Sequence, residues 1–190
     1  MNKRETGMVM AILQAAFPAY YRGLSQDEAI SAVKLWTEMF ADDDVADVLT
    51  ATKALIATQV EGYPPTIGKV KDKLFAMKCP DKITEFEAWG MVSKAVRNSI
   101  YHSDEEFEKL PEIIRRIVGT PNLLREWAMV EIDSLESVVA SNFMRSYRAR
   151  AQSEREYQQL PESLRQNVKG LTEHIFKRLP EGDNKERGAV

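Results

Sequence analysis

At three points ahead of an apolar run, a hydroxyl residue is followed three places later by glutamate: Ser25 by Glu28, Thr84 by Glu87 and Ser103 by Glu106. This is the capping-box signature. The hydroxyl accepts from a free backbone N–H in the first helical turn, and the glutamate reaches back to the N–H of the hydroxyl residue. The pairing closes only at a helix start, so it constrains the downstream chain more tightly than propensity does. Beyond each start, apolar residues recur at intervals of three and four, and no stretch alternates with period two for long enough to make a strand. The expected class is all-α: a small N-terminal helical domain, a second helical block and a C-terminal amphipathic tail.

The first part, residues 1–78, reads as four helices. Met8, Ile12, Ala15 and Ala16 are the expected buried face of the first, which Pro18 stops. Ile30, Val33, Trp36 and Phe40 form the stripe of the next, with Trp36 the expected centre of a core. Asp42, Asp43 and Asp44 precede a third run (Val45, Val48, Leu49, Thr52, Leu55, Ile56), where negative charge favours a helix N-terminus. Thr66 is the expected cap of a short helix bearing Ile67, Val70 and Leu74.

The second block is expected at residues 84–150. Phe86, Trp89, Val92 and Val96 share a face, Ser103 to Glu106 caps a further short element, and Pro111 suits a first helical position. Gly119 suits the next stop and Thr120 with Pro121 another start. The run at residues 123–150 carries Trp127 and then Leu135, Val138, Val139, Asn142, Phe143 and Tyr147 on one stripe, with Asp133 to Glu136 as its cap. Arg145 and Arg148 fall off that stripe.

Residues 151–190 read as a tail: a polar spacer to Gln159, a break at Pro161, and a clean apolar stripe of Leu164, Val168, Leu171, Ile175 and Leu179. Such a stripe needs a surface. It folds back on the core or is presented to another protein, one of the standard recognition modes. Residues 180–190 are charged and expected to be disordered.

Composition limits the chemistry. No apolar run approaches the ~20 residues that cross a bilayer, and the N-terminus reads as an amphipathic helix in place of a signal peptide. A net charge of -3 argues against a protein whose main task is coating nucleic acid, because such binding neutralises phosphates with Lys and Arg. With one cysteine, Cys79, and only His102 and His174, neither an intramolecular disulfide nor a Cys/His zinc site is expected. The stretch from Gly62 to Lys69 fails as a phosphate cradle: its spacing is wrong, Val70 stands where a hydroxyl is required, and Pro64 and Pro65 have no N–H. No catalytic constellation, cofactor or metal is expected. Arg145, Arg148, Arg150 and Arg155, interleaved with Tyr147 and Tyr157, are a candidate face for nucleic acid or an acidic protein patch, against the plain reading of a solvated helix face.

The sequence resembles the phage and prophage family of replicative helicase loaders and inhibitors from Gram-positive bacteria. In the first part the resemblance lies in L-W-T-E-M-F at residues 35–40, K-A-L-I-A-T at 53–58 and P-P-T-I-G-K-V at 64–70. In the second it lies in E-A-W-G-M-V-S-K-A-V-R-N-S from Glu87, E-E-F-E-K-L-P from Glu105, L-R-E-W-A-M from Leu124 and S-N-F-M-R-S-Y-R from Ser141. The resemblance implies a helical N-terminal domain, a mobile C-terminal part that engages a hexameric helicase of phage or host, an origin-binding initiator as a second partner, and the host cytoplasm as the location. It implies no ATPase fold and no catalytic residue. Candidate partner-binding residues are Leu164, Val168, Leu171, Ile175 and Leu179, with Arg145, Arg148 and Arg155. The competing readings are a DNA-binding replication initiator or regulator, and an inhibitor of the host helicase loader.

Overall fold

The computed structural model describes residues 1–79 and 82–178, with side chains to residue 172. No strand occurs among the described residues, and the class is all-α. The helices are α1 (Lys3–Ala16), α2 (Pro18–Tyr21), α3 (Gln26–Met39), α4 (Val45–Thr58), α5 (Ile67–Lys78), α6 (Glu85–Glu108), α7 (Glu112–Val118), α8 (Pro121–Ala128) and α9 (Ile132–Ser134). A π-helical turn, Leu135–Val139, then leads into α10 (Ala140–Gln159), and α11 (Glu162–Arg178) follows. Two compact units emerge: Met1–Lys78 with the described residues from Gln158 onward, and Cys79–Tyr157.

Local signals explain most helix ends. The boxes at Ser25 and Glu28 and at Thr84 and Glu87 are complete in both directions, and Asn2 with Glu5 forms another, not among the three expected. Thr66 Oγ1 accepts from the Lys69 N–H and Thr120 Oγ1 from the Leu123 N–H. Gly119 ends α7 at φ 86°, a left-handed conformation that costs glycine little. Pro111 is one place off: it stands as the N-cap, with α7 starting at Glu112. A second helical stretch does begin at Ser103, past a break in the helix dihedrals at His102 (φ -127°, ψ 34°), but the box there does not close. The buried Ser103 hydroxyl instead accepts from the Arg125 guanidinium at 3.0 Å.

The capping glutamates make a pH prediction. Hydrogen bonds from the Ser25 and Thr84 backbone N–H groups hold the Glu28 and Glu87 carboxyls below the usual carboxylate range. A folded-state pKa below the unfolded value gives stability that is fully present above the unfolded pKa, about 4.3 for glutamate, and lost as pH falls through the folded value. The urea midpoint is therefore expected to fall below about pH 4, and less steeply in the E28Q/E87Q double variant. An equally steep fall in that variant would show that the boxes contribute nothing.

In the first unit, Val9, Leu13, Phe40, Val48, Ala51 and Val70 are fully buried, and Trp36 stacks on Phe40 with ring centroids 5.3 Å apart. The Met1 ammonium donates to the Phe40, Ala41 and Asp43 carbonyls at 2.7, 2.8 and 3.0 Å, a cation against the C-terminal end of α3. Two expected faces are corrected. α1 buries Thr6, Val9, Met10 and Leu13 while Met8, Ala15 and Ala16 are exposed, because α1 is apolar on most of its circumference and its period does not choose a side. Ile30, expected on the α3 stripe, is exposed.

In the second unit, Ala88, Val92, Ala95 and Val96 of α6 pack with Ile114 and Val118 of α7, Leu124 of α8, and Phe143 and Tyr147 of α10. Trp89 and Trp127 are half-buried against this core. Phe86, expected on the α6 stripe, is exposed: a period runs on to the end of a helix whether or not a neighbour receives it. The π turn explains a second correction. Its extra residue shifts the phase of the stripe, so Val138 and Asn142 turn out to solvent while Ala140 becomes buried and Met144 and Ala151 partly so. The helix there starts at Ile132 after Glu131, with no side-chain cap from that residue, in place of the expected cap at Asp133 to Glu136.

Candidate partner-binding surfaces

The acidic triplet before α4 divides its work among three elements. Asp44 Oδ1 caps α4 by accepting from the Ala46 N–H at 2.8 Å. Asp43 pairs with Lys71 of α5 at 2.6 Å, both side chains being largely buried, and Lys71 Nζ also lies 4.7 Å from the Phe40 ring centroid. Asp42 Oδ2 accepts from the Glu162 backbone N–H at 2.7 Å and so caps α11, 120 residues away in sequence. All three acids were expected at one helix start. Asp42 serves another because a helix N-terminus takes a carboxylate from any part of the chain that reaches it.

That cap is one of several contacts that root the last helix on the first unit. The Gln159 side-chain amide donates to Asp72 Oδ1 at 2.8 Å, Pro161 is buried, and Leu160 is half-buried. Leu160, Pro161 and Arg165 line one cleft with Asp42, Asp43 and Lys71. Beyond the root the cover stops. Leu164 is half-buried, Val168 is 40% exposed and Leu171 65% exposed. The side chain of Ile175 and all of Leu179 lie outside the described residues, as do residues 180–190.

The arginines do not make one face. Arg148 turns to α6 and clamps Glu85 through two bonds, Nε to Oε2 at 2.7 Å and a terminal nitrogen to Oε1 at 2.5 Å. The Arg148 guanidinium, chiefly through this hydrogen bonding, holds the Glu85 carboxyl below the usual carboxylate range. Arg145 is exposed, with no ion pair among the described residues, and Arg155 is half-buried and engaged. Arg150 lines a groove with Arg116 of α7. Tyr147 is buried, and its hydroxyl donates to the Ile83 carbonyl at 3.0 Å. Burial pushes its phenol up from the usual value, the charge on Glu87 adding to this. Tyr147→Phe is expected to cost about 1–2 kcal/mol, since it leaves a shielded carbonyl without its donor. A thermal melt unchanged from the parent would count against that bond.

Sequence reasoning missed Asp42, Asp72, Arg116 and Ile117 as surface-forming residues. Pro161 was the one local signal at the root; the partners of that root are far away in sequence and left no periodic mark. Among the described residues no group of three His, Cys, Asp or Glu side chains could hold a metal ion, and no helix is long and apolar enough to cross a membrane.

Residues 1–71, which hold α1 to α4 and the first residues of α5, match the family model for the N-terminal domain of the gene 39 protein, the helicase loader and inhibitor of phage SPP1. The match lies in the first of the two blocks on which the resemblance rests, and the second is not covered by it. No curated protein and no solved structure matches the chain.

Proposed function

We propose that this chain is a non-enzymatic adaptor of phage DNA replication, working in the host cytoplasm, that binds a hexameric replicative helicase, restrains it and helps to load it at an initiator-marked origin. The observation that carries the reading is the α11 stripe: a helix rooted on a unit that matches the helicase loader and inhibitor family presents Val168 and Leu171 to solvent. An amphipathic helix with its apolar face uncovered is suited to a groove on another protein. In this reading Leu164, Val168 and Leu171, continued by Ile175 and Leu179, are the helicase contact. The helical body, residues 3–150, meets the initiator, with the exposed Arg145 as a basic contact, since Arg148 is held by Glu85 and Arg155 is already engaged.

The test is capture of helicase from host lysate by the full chain, identified by mass spectrometry and repeated with purified helicase at low and high salt. A helix-in-groove contact holds as salt rises, whereas phosphate binding weakens steeply. Recovery of the helicase at both salts supports the adaptor. Tight, salt-sensitive binding to DNA by the chain alone would replace it with the initiator reading, and recovery of the host loader without the helicase with the loader-inhibitor reading.

A further inference from the structure

A groove in the second unit shares no lining residue with the α11 stripe and its root. It is an open groove between α7 and α10, lined by Arg116, Ile117, Ser146, Arg150, Ser153 and Tyr157, with a volume of about 750 Å3, within the ~300–1,000 Å3 typical of binding clefts. Its wall is mixed. Ile117 is half-buried and Tyr157 leaves 40% of its surface exposed, which gives an apolar strip. The Arg150 guanidinium forms no hydrogen bond or ion pair among the described residues. Arg116 is held, among the described residues, by Glu112 alone, an exposed pair one helical turn away, and such surface pairs contribute about 0–1 kcal/mol and exchange readily.

Planar guanidiniums bind carboxylates through two parallel hydrogen bonds. Arg116 and Arg150, lining one groove with Ile117 and Tyr157, offer two discrete carboxylate sites beside apolar surface. A polyphosphate strand would need a continuous basic track, but Glu154 also lines this groove and Glu112 stands next to Arg116. We propose that the α7–α10 groove docks an acidic peptide segment of a partner protein, with carboxylates on Arg150 and Arg116 and an apolar side chain between Ile117 and the Tyr157 ring. This site uses none of the α11 residues and does not depend on the function proposed for them.

The probe is a short fluorescein-labelled peptide of Asp and Glu interrupted by Phe and Leu, titrated by anisotropy into the full chain. Its isostere with Asn and Gln is the control, and an oligodeoxythymidylate is run in parallel. The acidic peptide is expected to bind at least about tenfold more tightly than the isostere, the kind of loss that follows when a charge partner is removed. Arg150→Glu should weaken it by a similar factor, while Arg97→Glu, at an exposed residue that does not line the groove, leaves it unchanged. Amide shifts on adding peptide should centre on Arg150, Ser153 and Tyr157 in the folded protein. Absence of peptide binding, equal binding of the isostere, indifference to Arg150→Glu, or shifts confined elsewhere would each overturn the proposal. Arg150-dependent binding of the oligonucleotide without the peptide would overturn it in favour of a nucleic-acid surface.

Discussion

Replacing both Val168 and Leu171 with aspartate is expected to weaken helicase capture at least about 100-fold, or about 2.7 kcal/mol, while leaving the melting temperature within experimental scatter. The two side chains stay 40% and 65% exposed, so the folded chain spends little of their apolar surface on its own core. In a complex that surface would be withdrawn from water at roughly 25 cal/mol per Å2, and well-packed interface anchors commonly cost about 2 kcal/mol or more each when removed. Aspartate adds a charge that the groove would have to desolvate without a partner. The same pair of changes leaves Asp42, Gln159 and Pro161 in place, so the root of α11 survives. Unchanged affinity with an unchanged melt would place the helicase contact elsewhere in the helical body. Truncation after Gln159 is a second measurement; it also removes Pro161 and the helix start that Asp42 caps, and so must be read together with stability.

The second large effect concerns the first core. Phe40→Ala is expected to destabilise the first unit by about 3–5 kcal/mol, the range for deleting a large buried aromatic. Phe40 is fully buried, stacks on Trp36 and lies beneath the Lys71 ammonium, which pairs with the largely buried Asp43. Losing the ring opens a cavity and removes a support from the Lys71 and Asp43 pair, whose burial makes a disturbed geometry costly. Trp36 is the one tryptophan of the first unit, Trp89 and Trp127 belonging to the second. In a Trp89→Phe/Trp127→Phe background its fluorescence therefore reports the loss from the first unit alone in a urea titration. A midpoint shift equivalent to less than about 1 kcal/mol would mean that the site collapses around the missing ring.

How far the sequence could be read is clearest at three places. At α3 and α6 the capping boxes and the spacing of apolar residues marked both the helix and its start, because those hydrogen bonds are made within four residues. At α1 the helix was legible but its buried face was not: with apolar side chains on most of its circumference, the choice of Val9 and Leu13 over Met8 rests on where α3 and α4 lie. At residues 135–147 the period itself misled, since a single π turn rotates the stripe by about one position and turns Val138 and Asn142 outward.

The candidate surfaces divide in the same way. The described start of the α11 stripe, Leu164, Val168 and Leu171, lies on one helix as its spacing predicts, since a single helix is seen from one side. The breadth of the arginine face was not legible: Arg148 and Arg150 are two places apart on α10, yet one clamps Glu85 while the other lines the groove with Arg116. Sequence by itself determined the all-α class, most helix boundaries and the amphipathic tail, because backbone hydrogen bonds and side-chain period are local. Only the tertiary structure decided which faces are buried, that Asp42 caps a helix 120 residues away, and that Arg116 and Arg150 share a wall. Those outcomes depend on which distant surfaces meet, and that is a property of packing that no short-range pattern carries.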